Sequence, residues 1–132
     1  RGYFGEAILE TIHAHMRRLL AKSNASVDAI YYCPHLPQDG CFCRKPKAGM
    51  LLAAQKDLDI DLSNAVMIGD TESDIGAARA ANCKAVLLSV NGEIGMSGAI
   101  RPDHVSSNLY EAVLWTLDLL ALKSSNSGLG RY

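Results

Sequence analysis

Four residues able to bind a soft metal stand within eleven positions: Cys33, His35, Cys41 and Cys43, in the stretch CPHLPQDGCFC. The order is Cys-x-His, five residues, then Cys-x-Cys. In extended backbone, residues two apart point the same way, so each pair can pinch one ion. Pro34 and Pro37 stiffen the first limb, and Asp39-Gly40 offers the turn that returns the second. Three sulfurs and one imidazole make a closed tetrahedral set that suits Zn2+ and leaves no position vacant for catalysis. Such a zinc is expected to be structural; in small metal-dependent peptides the site contributes about 10–16 kcal/mol. Two disulfides, or reduced thiols without metal, are the competing readings, and the compactness of the set favours zinc. Arg44 and Lys45 follow at once, so a metal-fixed loop would aim two cations at something negative.

A second chemical cluster is MIGDTESD, which puts Asp70 just past an apolar run and Asp74 four residues later. A carboxylate presented at a sheet edge offers its oxygen to a hard cation such as Mg2+. Asp74 supports that carboxylate or complements a helix dipole. Taken with Lys45, the carboxylates suit phosphoryl transfer, where cations offset charge on the transferring group. Arg44 could add a bidentate grip on phosphate.

These side chains need elements to hold them. Apolar positions Ile8, Leu9, Ile12, Met16, Leu19 and Leu20 recur at helical spacing from Gly5 to about Lys22. VDAIYY (Val27 to Tyr32) reads as a strand leading into the cysteine loop. A second helix is expected over about Ala48 to Leu58, with Met50, Leu51, Ala54 and Leu58 on one face. AVMIG and KAVLLSV read as buried strands, with SDIGAARAA between them as a helix facing Ile75 and Ala78 inward. The last helix, about Asn108 to Leu122, carries Leu109, Val113, Leu117 and Leu120. Tyr110 and Trp115 on it are expected to pack, Cys83 to be a small core residue, and His13 and His15 to stay unligated. One domain over residues 1–122, with the zinc loop at 33–43 and a polar tail at 123–132, is the expected organisation. Strands alternating with helices indicate an α/β fold with a parallel sheet, whose ligands bind beyond the carboxyl ends of the strands.

Composition narrows the partners. Lys and Arg number 13 against 14 Asp and Glu, a net charge of −1, so no basic excess points to nucleic acid. No apolar run approaches the roughly 18 residues of a membrane span, and no signal peptide opens the chain. A cytoplasmic protein with a small-molecule substrate is expected, in a compartment where clustered cysteines are more often metal ligands than disulfides. The first residue is Arg1 rather than Met, which fits a processed or partial chain.

YYCPHLPQDGCFCRKPKAGML followed by VMIGDTESDIGAARAA resembles haloacid-dehalogenase-type (HAD) phosphatases. Within them it is similar to the zinc-containing branch acting on D-glycero-D-manno-heptose 1,7-bisphosphate or histidinol phosphate. The resemblance runs from RGYF at the start through RPDHV to the final helix. It implies that Cys33, His35, Cys41 and Cys43 hold zinc, that Lys45 steadies the phosphoryl group and that Arg44 binds substrate phosphate. It also implies that Asp70 binds Mg2+, with Asp74 its supporting carboxylate. Two family motifs are not found: an Asp-x-Asp whose first member forms an aspartyl-phosphate, and a Thr or Ser that binds the phosphoryl group. Both would lie upstream of Arg1. The internal Asp59-Ile60-Asp61 falls between a helix and a strand and reads as a turn and helix cap.

The resemblance implies a HAD-like Rossmannoid sheet of order 5-4-1-2-3 that is incomplete here, strands 1 and 2 of the parent fold being absent. That leaves VDAIYY and AVMIG roughly 14 Å apart, with nothing between them. RGYF and Gly49-Met50-Leu51 lean toward heptose members, CPHLP toward histidinol-phosphate members. Thr71 stands where heptose members often carry Lys, and Ala48 where Pro is common. The heptose reading is favoured, with a histidinol-phosphate phosphatase or an inactive zinc-stabilised fragment as alternatives.

Overall fold

The computed structural model describes residues 5–90 and 100–127, so RGYF and the end of the tail lie outside the described residues. The chain divides into two compact units, Arg1–Cys41 and Phe42–Tyr132.

In the first unit the helical periodicity of the opening residues becomes α1, Glu6–Ala21. Its end is closed by backbone N–H groups of Ser23 and Ala25 donating to the Leu20 carbonyl at 2.9 and 3.0 Å. The Arg17 guanidinium reaches the Val27 carbonyl at 3.0 Å. No α1 residue is buried, and Ile8, Ile12, Met16 and Leu19 stand exposed. Residues 27–32, expected as a strand, form none. Extended β-branched and aromatic residues become a strand only with a neighbour to pair with, and every ladder among the described residues lies in the second unit.

That second unit carries a three-stranded parallel sheet of order β1-β2-β3: Val66–Gly69, Lys84–Leu88 and His104–Ser106. Val66 aligns with Lys84, and Val86 with His104. Helix α2 (Gly49–Leu58) precedes β1, α3 (Glu72–Ala80) crosses from β1 to β2, and α4 (Leu109–Ser127) follows β3. The α4 helix thus runs into the segment expected as tail. β2 is central and covered on both faces, so after Lys84 its residues form an unbroken apolar run with Ala85, Val86 and Leu87 all buried. Ile75 and Ala78 face inward as expected and join Ala48, Leu62, Ala81, Cys83, Ala85 and Leu87 in one core.

β3 is a strand that the sequence pattern does not announce, because three residues with one aliphatic between His and Ser carry no alternation long enough to read. What holds it is Asp103. Its N–H donates to the Ala85 carbonyl and its carboxylate accepts from the Ala85 N–H, both at 2.8 Å. Arg79 and Lys84 pair with the same carboxylate at 2.8 and 2.9 Å.

Helix α4 meets the sheet through Ala112, and Trp115 stacks on His104 with ring centroids 4.9 Å apart. Tyr110, expected to pack, is 73% exposed, and Leu109, Val113 and Leu117 are exposed with it. Apolar residues ring much of α4, so periodicity alone does not say which face the sheet takes.

Burial pushes the Asp103 carboxyl up, but hydrogen bonds from Lys84, Ala85 and Arg79 outweigh that and hold it below the ordinary carboxylate value. The stability it gives is therefore complete above about pH 4 and lost as pH falls through its lower folded value. Asp103→Asn is expected to lower the unfolding midpoint at pH 7, with the gap to the parent closing toward pH 2–3, about the range where carboxylates are protonated. Thermal melts across that range check it.

Candidate functional site

The turn from β1 into α3 brings Asp70, Asp74 and Lys45 into one region of the second unit. β1 ends at Gly69, Asp70 follows in the open, and Thr71 is the N-cap of α3 with extended φ/ψ of −128° and 155°. Asp74 is the third residue of the helix and completes a capping box with Thr71. The Thr71 N–H and O–H both donate to Asp74 Oδ2, at 3.1 and 2.6 Å. Asp74 Oδ1 accepts from Lys45 Nζ. Of the two readings of Asp74, its place at the helix N-terminus is seen, and the side chain it holds is Lys45 rather than Asp70.

Close backbone approaches bring Lys45 there. A Cβ on Gly76 would lie 2.8 Å from the Pro46 Cβ, so α3 touches the residue after Lys45. A Cβ on Gly49 would lie 2.5 Å from the Phe42 carbonyl oxygen and 2.8 Å from the Cys43 Cα, which seats α2 against the residues before Arg44. A Cβ on Gly69 would stand 2.5 Å from Asp74 Cγ. These three glycines, with Pro46 and Thr71, position the pair, and no spacing rule in the sequence marks them. A glycine's reason is the neighbour it admits, which only the folded chain supplies.

The Asp74 side chain is 3% exposed while that of Lys45 is 40% exposed. One partner is rooted in the core and the other faces solvent. An ammonium has three donors; among the described residues Lys45 commits one to Asp74. Burial pushes the Asp74 carboxyl up, yet hydrogen bonds from Lys45 and Thr71 prevail and keep it below the ordinary value. The carboxylate stays ionised at neutral pH and keeps the ammonium in place.

Asp70 is exposed at the carboxyl end of β1 and accepts no hydrogen bond among the described residues. Its oxygens remain for a hard cation, which takes one or two carboxylates and completes its shell with water and phosphate. Mg2+ fits there. Asp59-Ile60-Asp61 is structural, as expected: Asp59 ends α2 with φ 51°, and Asp61 accepts from Ser63 N and Asn64 Nδ2 at 2.9 and 2.8 Å.

In the cysteine loop, Cys33 Sγ lies 3.7 Å from His35 Nδ1 and 3.5 Å from Cys41 Sγ. Ligand atoms of Cys33, His35, Cys41 and Cys43 all fall within 4.8 Å of one another. Tetrahedral zinc with Zn–S of about 2.3 Å sets its ligand atoms about 3.8 Å apart, so the donors fit that ion in type and spacing. Pro37–Asp39 makes the short turn between the limbs, with the Leu36 N–H donating to Asp39 at 2.7 Å and Gly40 at φ 61°. Gly40 supplies the left-handed residue that turn needs.

Comparison with known proteins gives one reading. The family model for HAD-hydrolase-like proteins matches residues 42–112. The D-glycero-beta-D-manno-heptose-1,7-bisphosphate 7-phosphatase of Pseudomonas aeruginosa is 43% identical over 103 residues, covering 78% of this chain and 58% of that protein. The D-glycero-D-manno-heptose-1,7-bisphosphate 7-phosphatase of Thermosynechococcus vestitus is 37% identical across 92% of this chain and 70% of its own length. The crystal structure of D,D-heptose 1,7-bisphosphate phosphatase from B. bronchiseptica, complexed with magnesium and phosphate, superposes with a TM-score of 0.70. It is 35% identical, over 87% of this chain and 68% of that one. The chain spans about half the length of the curated relatives it matches, between 46% and 58% for four of them.

The close approach at Gly69 is testable by itself. Gly69→Ala must push Asp74 off its position, and the expected cost is about 1–3 kcal/mol of overpacking. Urea unfolding of the two proteins measures it, and equal midpoints would mean that Asp74 moves aside freely.

Proposed function

Since the chain belongs to the HAD-hydrolase-like family, we propose that it supplies the phosphate-holding part of a Mg2+-dependent phosphatase. The substrate we propose is a sugar bisphosphate, D-glycero-D-manno-heptose 1,7-bisphosphate, hydrolysed at one phosphomonoester. The observation that carries this reading is the ammonium of Lys45, rooted on buried Asp74 at the turn where Asp70 stands open. Matching sequences named for that substrate support the choice of sugar.

In this proposal Lys45 offsets charge on the phosphoryl group through its solvent-facing donors, and Arg44 grips a substrate phosphate. Asp70 holds Mg2+, which when bound neutralises phosphate oxygens. Asp74 acts through Lys45 rather than on the metal. The nucleophile is an Asp from the family's Asp-x-Asp motif, which these residues do not supply; it forms an aspartyl-phosphate that water then cleaves. Cys33, His35, Cys41 and Cys43 hold a structural zinc that fixes the segment leading into Arg44 and Lys45. A reducing cytoplasm suits such thiolates. No described helix is long and apolar enough to cross a membrane.

Two measurements test the reading. Elemental analysis of the purified chain is expected to give about one zinc per molecule, lost in Cys41→Ser. The second is a fusion of this chain to the part of the Pseudomonas aeruginosa relative that it leaves unmatched. With Mg2+ that fusion is expected to release phosphate from the heptose bisphosphate faster than from histidinol phosphate. Lys45→Met in the fusion should lower turnover by about 100-fold or more, the scale for losing a preorganised charge. A folded fusion that leaves both substrates intact would overturn the proposed activity.

A further inference from the structure

Thr71 holds a place in this site that neither its sequence nor the family resemblance assigns. It carries a hydroxyl at the position after Asp70, where the resemblance leads one to look for a lysine. A carboxylate can rotate, offering either oxygen to a partner, so an Asp side chain alone does not fix where an ammonium bound to it will sit. At Asp74 that freedom is removed from one side: Oδ2 accepts twice from Thr71, through N–H at 3.1 Å and O–H at 2.6 Å. Oδ1 is left facing Lys45.

The hydroxyl chain has a direction. Ionised Asp74 only accepts, so the single Thr71 hydroxyl proton goes to Oδ2. Ser73 Oγ lies 2.9 Å from Thr71 Oγ1. With the Thr71 proton committed, it is the Ser73 hydroxyl that donates across that contact. Successive donation in one sense strengthens each bond, and β-branching holds the Thr71 hydroxyl in few rotamers.

We infer that Thr71 is a positioning residue: with Ser73 donating to it, it pins Asp74 Oδ2 and thereby sets Lys45 Nζ in the orientation that meets a phosphate. The catalytic part of this statement rests on the proposed function; the positioning part does not. The readout is accordingly twofold. In the 132-residue chain, 15N-detected spectra of lysine ammonium groups are expected to show one ordered, slowly exchanging signal from Lys45. Thr71→Val, which keeps the shape and the N–H but removes the hydroxyl, should broaden that signal beyond detection, whereas Thr71→Ser should retain it. Ser73→Ala should weaken it to an intermediate degree, and it serves as the test if Thr71→Val does not fold. In the active fusion described above, Thr71→Val should lower kcat by about tenfold, the scale of a modest misplacement of a catalytic group, with Thr71→Ser within about threefold of the parent on the same scale. A sharp Lys45 signal in folded Thr71→Val, or in Ser73→Ala should that be the folded variant, overturns the inference whatever the activity. A lost signal beside a fusion without phosphatase activity upholds the positioning role and overturns the proposed function instead.

Discussion

The second unit depends on one asymmetric ion pair. Asp74 is a charged group taken out of water, and an ionised carboxylate there is tolerable only because Lys45 and Thr71 supply its hydrogen bonds. Breaking such a pair by removing one partner leaves a buried charge without compensation, which is far costlier than losing an exposed pair. The arrangement ties three pieces of chain to one carboxylate: the segment carrying Lys45, the cap of α3, and the end of β1. Packing follows from it, since the Pro46 ring lies against Gly76 and the Asp74 side chain against Gly69, where a Cβ would not fit.

The rest of the sheet is built to keep that carboxylate still. β2 is its middle strand, α3 lies across β1 and β2 with Ile75 and Ala78 fully enclosed, and Asp103 pins β3 through both backbone and side-chain bonds. Helix α3 carries residues of both kinds on successive turns, Asp74 for the site and Arg79 for Asp103. A tilt of that helix would disturb both at once. Functional geometry and fold stability therefore share a lever here.

Much of this is readable from residue types. Cys33, His35, Cys41 and Cys43 stand out because soft donors are rare, and the fold gathers their ligand atoms within 4.8 Å of one another. Ile75 and Ala78 announce the inner face of α3 because the helix has polar residues elsewhere to mark its outside. Helix α4 lacks that contrast, so Tyr110 and Leu117 look as fit for packing as Leu120. VDAIYY has the composition of a strand, and composition cannot report whether a neighbour is present to receive its hydrogen bonds. β3 is the converse: a poor strand by pattern, held by Asp103 just outside it. Lys45 and Asp70 can be named as charged residues beside the chain's two clusters of donors, but the partner of Lys45 is not legible. Nearness along the chain assigns Asp74 to Asp70, whereas the fold gives it to a residue 29 positions upstream.

The glycine contacts divide this region into positions that can change and positions that cannot. At Gly49, Gly69 and Gly76 even a methyl group meets backbone or a packed side chain at well under van der Waals distance. Phe42, by contrast, is 65% exposed, and Lys47 is exposed too, with Arg44 only half-buried between them. Room for a larger side chain is therefore absent at the three glycines and present around Phe42, while Lys45 is anchored on Asp74.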